Sequence, residues 1–413
     1  MWQRQEVQEL PRRCLRVANE RRAWATLGAV AFGNLVVAAL HFGLAAAAPL
    51  LREDLELTSG QLGILLATPA IGLMLGTFGW GVLADRTSER RVLTGAFVGF
   101  AAATAVAATH ADAANVVYFG MALLVSGCFG SAAHSAGGRA ISASFAPERH
   151  GLVLSIRHVA IPVGAALGGI VVPIVVRDAG LGAAAWTAAF AGVVAAALLA
   201  IAVPSSRTRA ARVAREQVTS GPSPLRVLPI WLLAAGAAGL SFVQLGIGSF
   251  LTVQLVDRAG MTVVAAAAVF TAAQLGGAAG RVVLGLWSDR AGSRIEVLRA
   301  VAVVSLVSVL ASLVVPDARA AAFLQAVALV VVTSCNGVVV AVAASIAPEG
   351  RTGATLGMQT TANAAACSVA PIVLGVVLGA GAGWTAFTAV LLGSLVLSLV
   401  ALSRCARLLR APP

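Results

Sequence analysis

The chain has 413 residues, of which 59% are hydrophobic and only 11% are charged, and its formal net charge is +12. A soluble domain needs more charged surface than this composition supplies, so we expect most of the chain to lie in lipid. The positive charge does not indicate nucleic acid, because the basic residues are all arginines whose positions follow the alternation of long apolar runs.

Twelve apolar runs are each close to the length of about 20 residues that a helix needs to cross a bilayer. Charged or Gly- and Pro-containing breaks separate them. The predicted spans are 24–50, 61–84, 92–109, 116–140, 151–174, 184–204, 228–254, 262–286, 299–316, 320–343, 353–378 and 384–402. The sequence therefore predicts an all-α membrane protein with twelve transmembrane helices.

The arginines are distributed unevenly between the two sides of these spans. Of the 29 arginines, 22 lie in the two tails and in alternate loops on one side, and the opposite side has only Arg52, Arg177, Arg258 and Arg319. Loops rich in arginine remain in the cytoplasm. We therefore expect a protein of the cytoplasmic (inner) membrane with both termini in the cytoplasm, and we predict no cleavable signal peptide before the first span.

A ten-residue phrase occurs twice, each time at the end of a long apolar run. Two further short segments recur in the same order along the chain. The repeated pairs are Gly81-Val-Leu-Ala-Asp85-Arg86-Thr-Ser-Glu-Arg90 with Gly285-Leu-Trp-Ser-Asp289-Arg290-Ala-Gly292-Ser-Arg294, which are offset by 204 residues, Ser144-Phe-Ala-Pro147-Glu148 with Ser345-Ile-Ala-Pro348-Glu349, and Trp186-Thr-Ala with Trp384-Thr-Ala. We therefore expect two pseudo-symmetric six-helix bundles, and paired membrane bundles are the usual build of a transporter.

The repeat predicts how the chain is divided. A long polar stretch with several arginines separates spans 6 and 7 and is typical of a linker. The expected segments are a cytoplasmic N-terminal tail (1–23), an N-terminal six-helix bundle (24–204), a cytoplasmic linker (205–227), a C-terminal six-helix bundle (228–402) and a cytoplasmic C-terminal tail (403–413).

The twelve spans, the basic central segment and the repeated Gly-x-x-x-Asp-Arg-x-Gly-x-Arg pattern resemble the major facilitator superfamily across essentially the whole chain. The sequence departs from the pattern at Ser88, where the family usually has glycine. The resemblance implies a secondary transporter that works by alternating access. The pattern is specific to the superfamily and does not indicate a substrate.

The repeated phrase also predicts a conformational latch. Its glycines would let neighbouring helices approach closely, and its aspartates lie at helix ends where arginines or a helix N-terminus can pair with them. A competing interpretation is a purely topological anchor held by the positive-inside effect. The latch candidates are Gly81, Asp85, Arg86, Arg90, Gly285, Asp289, Arg290 and Arg294.

Polar side chains inside the spans indicate which helices face protein or water, since a charged residue at the centre of a span costs about 2.5–3.5 kcal/mol on insertion scales. Spans 3, 6, 9 and 12 have none in their cores, which predicts that every third helix faces lipid. A single amide is more often a hydrogen-bond partner between helices than a ligand contact. The candidate substrate contacts, apart from arginines, are Asn34, His41, Gln244, Gln274, Asn336 and Asn363.

Two arginines inside the spans, Arg157 and Arg281, are the strongest site candidates. All 17 acidic residues fall in tails, loops or span ends, so no carboxylate in the interior of a span is available to pair with either. Two uncompensated cations that face a cavity predict an anion site. The alternative is structural, with pairing to helix-end carbonyls or to Asp289 and Glu148.

The segment around Arg281 carries a second indication. Gly280-Arg281 followed by Gly285 and Asp289 resembles the eighth span of several anion and carboxylate carriers of the superfamily. Arg139, at the end of span 4, is expected to be structural.

Three histidines lie inside the spans and titrate near neutral pH, which makes one of them a candidate proton carrier. A packing role is the alternative for each of them. The proton-coupling candidates are His41, His134 and His158.

Together these patterns predict a secondary active transporter of a small anionic solute, a carboxylate or an oxyanion, with proton coupling as a further expectation. No nucleotide-binding, metal-binding or nucleophile motif is recognisable, so we expect that the protein is not an enzyme and binds no cofactor, metal or nucleic acid. The expected partners are the solute and the lipid bilayer. The expected oligomeric state is a monomer. One alternative is a proton-driven multidrug or metabolite efflux antiporter, which would need an acidic residue in the cavity. Another is a non-transporting membrane sensor or scaffold.

Overall fold

The computed structural model describes residues 3–146, 149–205, 222–349 and 351–410, and within them the chain is helical and has no strand. The helices of the first half are α1 (Gln3–Ala46), α2 (Ala48–Asp54), α3 (Ser59–Arg86), α4 (Glu89–Thr109), α5 (Val116–Gly130), α6 (Ala132–Ser144) and α7 (His150–Ala202). Those of the second half are α8 (Leu228–Asp257), α9 (Val263–Arg290), α10 (Arg294–Val314), α11 (Ala318–Ser334), α12 (Asn336–Ser345), α13 (Thr352–Gly379) and α14 (Gly383–Arg410).

Among the described residues, 11 segments are long and apolar enough to cross a membrane. One of them, 156–202 in α7, has 47 residues, which corresponds to about 70 Å of helix, whereas the hydrocarbon core is about 30 Å thick. Gly180 interrupts this segment with φ 84° and ψ 168°, a conformation that is essentially restricted to glycine. Helix α7 therefore contains predicted spans 5 and 6, and the fold accommodates twelve crossings.

The two parts of α7 run in opposite directions. Gly168, in the first part, packs against the backbone of Ala39 near the end of α1. Ala202, at the end of the second part, accepts a hydrogen bond of 3.0 Å from Thr26, which lies more than three turns before Ala39 in α1. The chain therefore turns back at Gly180, as two antiparallel spans require.

Predicted spans 4 and 10 are each interrupted, which the sequence did not predict. The breaks are at Ser131, between α5 and α6, and at Cys335, between α11 and α12. These residues are 204 positions apart, the same offset as the repeated phrase. Helix α6 has 13 residues and α12 has 10, which explains why the offset falls to 201 by the time the chain reaches Ser144 and Ser345. The interruption is thus a property of the repeated unit.

The first and last spans do not end where they were predicted to end. Helix α1 ends at Ala46 and not at residue 50, because Pro49 has no N–H with which to continue the helical ladder to the carbonyl of Ala45. Thr252 of α8 donates a hydrogen bond of 2.9 Å to that carbonyl and so joins the two halves. Helix α14 continues to Arg410, beyond the predicted end at residue 402.

The two ends of the bundle can be told apart by their contacts. We call the end that contains Thr26 and Ala202 the terminal end, and the end that contains Ala45, Ser59 and Asp257 the distal end. Residues 206–221 of the predicted linker lie outside the described residues, so the division of the chain at 205–227 stays a prediction.

Candidate substrate site between the two halves

The halves meet along two pairs of helices, α7 with α9 and α3 with α13. On the first seam, Thr271 of α9 donates a hydrogen bond of 3.4 Å to the carbonyl of Ala166 in α7, and Gly169 allows close contact with Phe270. Closer to the terminal end, the same two helices carry Arg157 and Arg281. The seam therefore brings together the two arginines that the sequence singled out.

Arg157 is buried against the interrupted fourth span. Its side chain is 5% exposed, and its Nη2 donates a hydrogen bond of 3.2 Å to the carbonyl of His134, three residues after the break. Gly138 of α6 leaves the space that the guanidinium occupies. The Nε atom of Arg157 is buried without a hydrogen-bond partner, so one charge-bearing donor is unused in this arrangement.

Arg281 is partly exposed and bridges three helices. Its Nε donates a hydrogen bond of 3.0 Å to the carbonyl of Thr333, two residues before the break in the tenth span, and its Nη1 donates one of 3.0 Å to the carbonyl of His158 in α7. Each arginine thus contacts the main chain beside a helix break. Their repeat counterparts are Gln359 and Thr77, so the two guanidiniums are not related by the pseudo-symmetry.

Neither guanidinium forms an ion pair with a carboxylate among the residues that the structure describes. Asp289, which the structural alternative proposed as a partner, contacts Arg294 at 3.3 Å instead. Glu148, the other proposed partner, lies outside the described residues. The hydrogen bonds to main-chain carbonyls agree with one part of the structural alternative, and they leave the positive charges unneutralised by any described acid.

Two of the three candidate histidines lie beside these arginines. The main chains of His134 and His158 accept their hydrogen bonds, and Arg157 lies within electrostatic range of both imidazoles. The Nδ1 atom of His134 is buried without a partner, whereas the side chain of His158 is exposed. His41 lies on α1, where its ring stacks on that of Phe42 with centroids 5.2 Å apart.

The predicted amide contacts fall into three groups. Asn336 donates a hydrogen bond of 3.4 Å to Gln244 and so links α12 to α8. Asn34 and Gln274 are buried, and Asn34 donates to the carbonyl of Val30 in its own helix, as expected of a structural residue. Asn363 is partly exposed on α13, the helix that forms the opposite seam.

Sequence reasoning missed two buried polar residues. Thr333 supplies the carbonyl that holds Arg281, and its own hydroxyl is buried without a partner. Gln254 of α8 is 1% exposed, and neither its oxygen nor its nitrogen has a partner. An unsatisfied buried amide is costly, and the available signal was a lone glutamine at the end of an apolar run.

The α3–α13 seam is tight at the distal end and open towards the terminal end. A Cβ atom on Gly63 would collide with the carbonyl of Pro371, and one on Gly375 would lie 2.6 Å from the carbonyl of Ser59. At Gly81 and Gly357, about five turns along the same faces of the two helices towards the terminal end, a Cβ would have nothing within 4 Å. The two halves therefore diverge on the side of the termini.

An ion pair joins the halves at the distal end. Arg52 donates hydrogen bonds of 2.5 and 2.7 Å to the two carboxylate oxygens of Asp257, and both side chains are about 30% exposed. These hydrogen bonds raise the pKa of Arg52 in spite of its partial burial, which acts in the opposite direction. Two parallel hydrogen bonds of this kind are the geometry in which an arginine–carboxylate pair is strongest.

The proposed latch residues lie at the terminal end. Arg139 donates a hydrogen bond of 3.0 Å to the carbonyl of Gly81. The expectation that Gly81 and Gly285 permit close helix contact is wrong for this conformation, because a Cβ at either would have nothing within 4 Å where the helices diverge. Arg90 is partly buried and Arg290 is exposed, and the side chains of Asp85 and Arg86 lie outside the described part of the structure.

Ser88, the departure from the repeated pattern, begins α4. Its hydroxyl accepts a hydrogen bond of 3.4 Å from the backbone of Arg91, as an N-cap residue does. The corresponding loop of the second half instead contains Gly292 with a positive φ of 66°. The two loops therefore turn by different means.

Comparisons with known proteins agree with this architecture. Residues 30–371 match the Major Facilitator Superfamily profile. Uncharacterized MFS-type transporters from two strains of Mycobacterium tuberculosis, CDC 1551 / Oshkosh and H37Rv, are each 31% identical to this chain over 351 residues, which is 84% of this chain and 77% of theirs.

Solved structures of a bacterial homolog of the human lysosomal transporter Spinster share the fold. The inward-facing, occupied form superposes with a TM-score of 0.73 at 14% identity, covering 92% of this chain and 94% of the other. The inward-facing, unoccupied form has a TM-score of 0.69 at 14% identity and covers 94% and 96%. The chain belongs to the Major Facilitator Superfamily and is a multi-pass membrane transporter.

Proposed function

We propose that this transporter moves a small anionic solute, a carboxylate or an oxyanion, by alternating access. The observation that carries the proposal is the pair Arg157 and Arg281, which have no described carboxylate partner and lie on the seam between the halves. A solute anion can supply the missing negative charge and can accept two parallel hydrogen bonds from a guanidinium.

The hydrogen-bond donors of the two arginines allow an anion to take the place of the main-chain carbonyls. Arg157 has a buried Nε without a partner, and Arg281 uses its Nε and Nη1 on neutral carbonyls. A main-chain carbonyl carries no net charge to neutralise a guanidinium, whereas a carboxylate or an oxyanion does so and can also accept two parallel hydrogen bonds from it. An arriving anion therefore competes well with the carbonyls of His134, Thr333 and His158, and its binding loosens the arginines from both helix breaks.

The conformation supports solute access from the terminal end. The distal end is closed by the Arg52–Asp257 ion pair and by the glycine contacts of α3 and α13, and the seam opens towards the termini. We infer from the arginine distribution that the terminal end faces the cytoplasm, so that this is an inward-open state in the inner membrane. The Spinster homolog structures described above are also inward-facing.

We propose proton coupling through His134 or His158, which lie beside the arginines, in preference to His41. Protonation of an exposed imidazole at His158 would add a third positive charge near the anion.

The remaining candidate contacts are the partly exposed Asn336 and Asn363 and the buried Gln244. We propose that the 24–204 and 228–402 bundles move as units and that the protein acts as a monomer.

Uptake into proteoliposomes tests the proposal. The purified chain should accumulate monocarboxylates, dicarboxylates or small oxyanions in preference to neutral sugars and amines, and an inward proton gradient should stimulate uptake. Empty liposomes and the doubly substituted chain Arg157→Gln/Arg281→Gln are the controls. Transport of lipophilic cations alone would favour the efflux alternative, and the absence of any transport, with a folded protein, would favour a sensor or scaffold.

A further inference from the structure

An apolar groove of about 780 Å³ lies on the surface of the second half, between α9 and α11. Its walls include Ala268 and Ala272 from α9 and Phe323, Val327 and Val330 from α11. Phe323 and Val327 are 46% and 49% exposed. Exposed apolar surface on a transmembrane helix faces acyl chains, so the groove opens to lipid.

The halves differ at two repeat positions on the helix that forms one wall of the groove. In the first half, α3 and α5 pack tightly, and a Cβ on Gly127 would collide with the carbonyl of Pro69. At the offset of 204, the residues of α11 that correspond to Gly120 and Gly127 are Leu324 and Val331. Leu324 lines the groove. Beyond it the same two helices are in close contact, since a Cβ on Gly277 would lie 2.6 Å from the side chain of Thr333.

The length of the groove matches one leaflet. It extends along α11 from Ala320 to Val330, which is about 15 Å at 1.5 Å per residue and half of the roughly 30 Å hydrocarbon core. Arg319 donates a hydrogen bond of 3.0 Å to the carbonyl of Ala259, just after α8 ends at Asp257. The groove therefore begins at the distal end and reaches the middle of the membrane.

Two exposed arginines stand at the distal opening of the groove. Arg319 immediately precedes the first lining residue, and its hydrogen bond to Ala259 places it next to Arg258. Neither arginine forms an ion pair among the described residues.

The neighbouring acids are already engaged. The carboxylate of Asp257 binds Arg52, and that of Asp317 accepts a hydrogen bond of 2.7 Å from the backbone of Ala320 as the N-cap of α11. Positive charge is therefore available where lipid phosphates lie.

We propose that the groove binds a phospholipid of the distal leaflet, with one acyl chain between α9 and α11 and the phosphate on Arg319 and Arg258. The site is separate from the proposed anion site on the α7–α9 seam. In the first half, the tight packing of α3 on α5 leaves no such space. In the second half, a bound acyl chain would fill the groove and so support the contact between spans 8 and 10.

A photoreactive phosphatidylglycerol, with a diazirine halfway along one acyl chain, tests the site in lipid nanodiscs that hold the full chain. Mass spectrometry of the crosslinked peptides should place the main adduct in 268–273 or 323–330. The variant Ala272→Phe fills the groove and should abolish that adduct. The matched control, Ala102→Phe, adds the same bulk to an exposed alanine of α4 and should leave the adduct unchanged.

The headgroup contact is tested separately. Arg319→Gln should weaken labelling by phosphatidylglycerol about fivefold, the value of one arginine near an anionic surface, whereas Arg177→Gln, at a paired exposed arginine of α7, should not. Uniform labelling of both halves, or equal effects of Ala272→Phe and Ala102→Phe, would overturn the proposal. A change of Ala272→Phe from dimer to monomer in native mass spectrometry would assign the groove to a second copy of the chain and would also overturn it.

Discussion

The two seam arginines show how a charged side chain can be kept inside a membrane bundle without a carboxylate. Arg157 and Arg281 donate to main-chain carbonyls beside the breaks at Ser131 and Cys335. Such hydrogen bonds satisfy part of each guanidinium and leave its charge in place. A residue held in this way is anchored while its charge stays unneutralised by any described carboxylate.

We predict that Arg281→Lys lowers apparent solute affinity about tenfold or more, because charge-assisted hydrogen bonds contribute about 1.5–3 kcal/mol. The ammonium of lysine keeps the charge, but it lacks the planar set of donors with which the guanidinium would bind the carbonyls of Thr333 and His158 and the proposed anion at the same time. Concentration dependence of uptake in proteoliposomes measures the effect. Arg407→Lys, at an exposed arginine at the end of α14 and away from both seams, is the control.

Arg281→Gln separates a binding role from a structural one. It removes a cation that no described carboxylate neutralises, so the variant should insert and melt at a temperature close to that of the parent chain while losing nearly all solute binding. Unchanged affinity in Arg281→Lys, or failure of Arg281→Gln to fold, would make the residue structural and would leave the anion site to Arg157 alone.

At the scale of elements, the loops after α3 and α9 have the same sequence pattern and different turns. The first has two residues between helices and begins α4 at the Ser88 cap, and the second has three and needs Gly292. In the second loop, Asp289 contacts Arg294 at 3.3 Å with side chains that are 67% and 44% exposed. A surface pair of this kind contributes about 0–1 kcal/mol.

We therefore predict that Asp289→Asn barely changes the stability of this state and still slows the transport cycle. The reason is that we expect Asp289 to form its stronger contact only when the terminal end closes. The melting temperature should move by no more than that of Asp178→Asn, which also breaks an exposed ion pair. The turnover rate in proteoliposomes should fall for Asp289→Asn with apparent affinity unchanged. Equal turnover for Asp289→Asn and the parent chain would argue against a latch.

For the whole molecule, the distal closure rests on few polar contacts. The Arg52–Asp257 pair and the hydrogen bond from Thr252 to Ala45 cross between the halves, next to the glycine packing of α3 and α13. Since these contacts must break for the distal end to open, each biases the molecule towards the observed conformation.

We predict that Arg52→Gln or Asp257→Asn raises the population of the distally open state up to about fivefold, since a partly exposed ion pair contributes up to about 1 kcal/mol. Pulsed electron paramagnetic resonance between spin labels at Glu53 and Val264, in a cysteine-free chain, measures this population. The charge-swapped chain Arg52→Asp/Asp257→Arg should restore the parent distribution. If it resembles the single variants, the pair does not hold the distal end.

Much of the architecture could be predicted because bilayer thickness sets the length of each span and the repeat supplies the symmetry. The break at Ser131 could not, since its φ of −63° and ψ of −18° are close to helical, and the adjacent Gly130 resembles the many glycines that lie inside uninterrupted spans. The contacts of Arg157 and Arg281 could not be predicted either, because they join residues 23 and 52 positions apart across helices. The unpaired state of these arginines was foreseeable, since the acids of the chain lie outside the span interiors.

The matching interruptions of spans 4 and 10 also give an order of events in the history of the chain. A feature at the same register in both halves was present in the single six-helix ancestor, before that ancestor was copied and fused. Arg157 and Arg281 occupy positions whose counterparts are Gln359 and Thr77, so these charges differentiated the copies afterwards. The interrupted scaffold is therefore older than this difference in charge between its halves, which could change without rebuilding the fold.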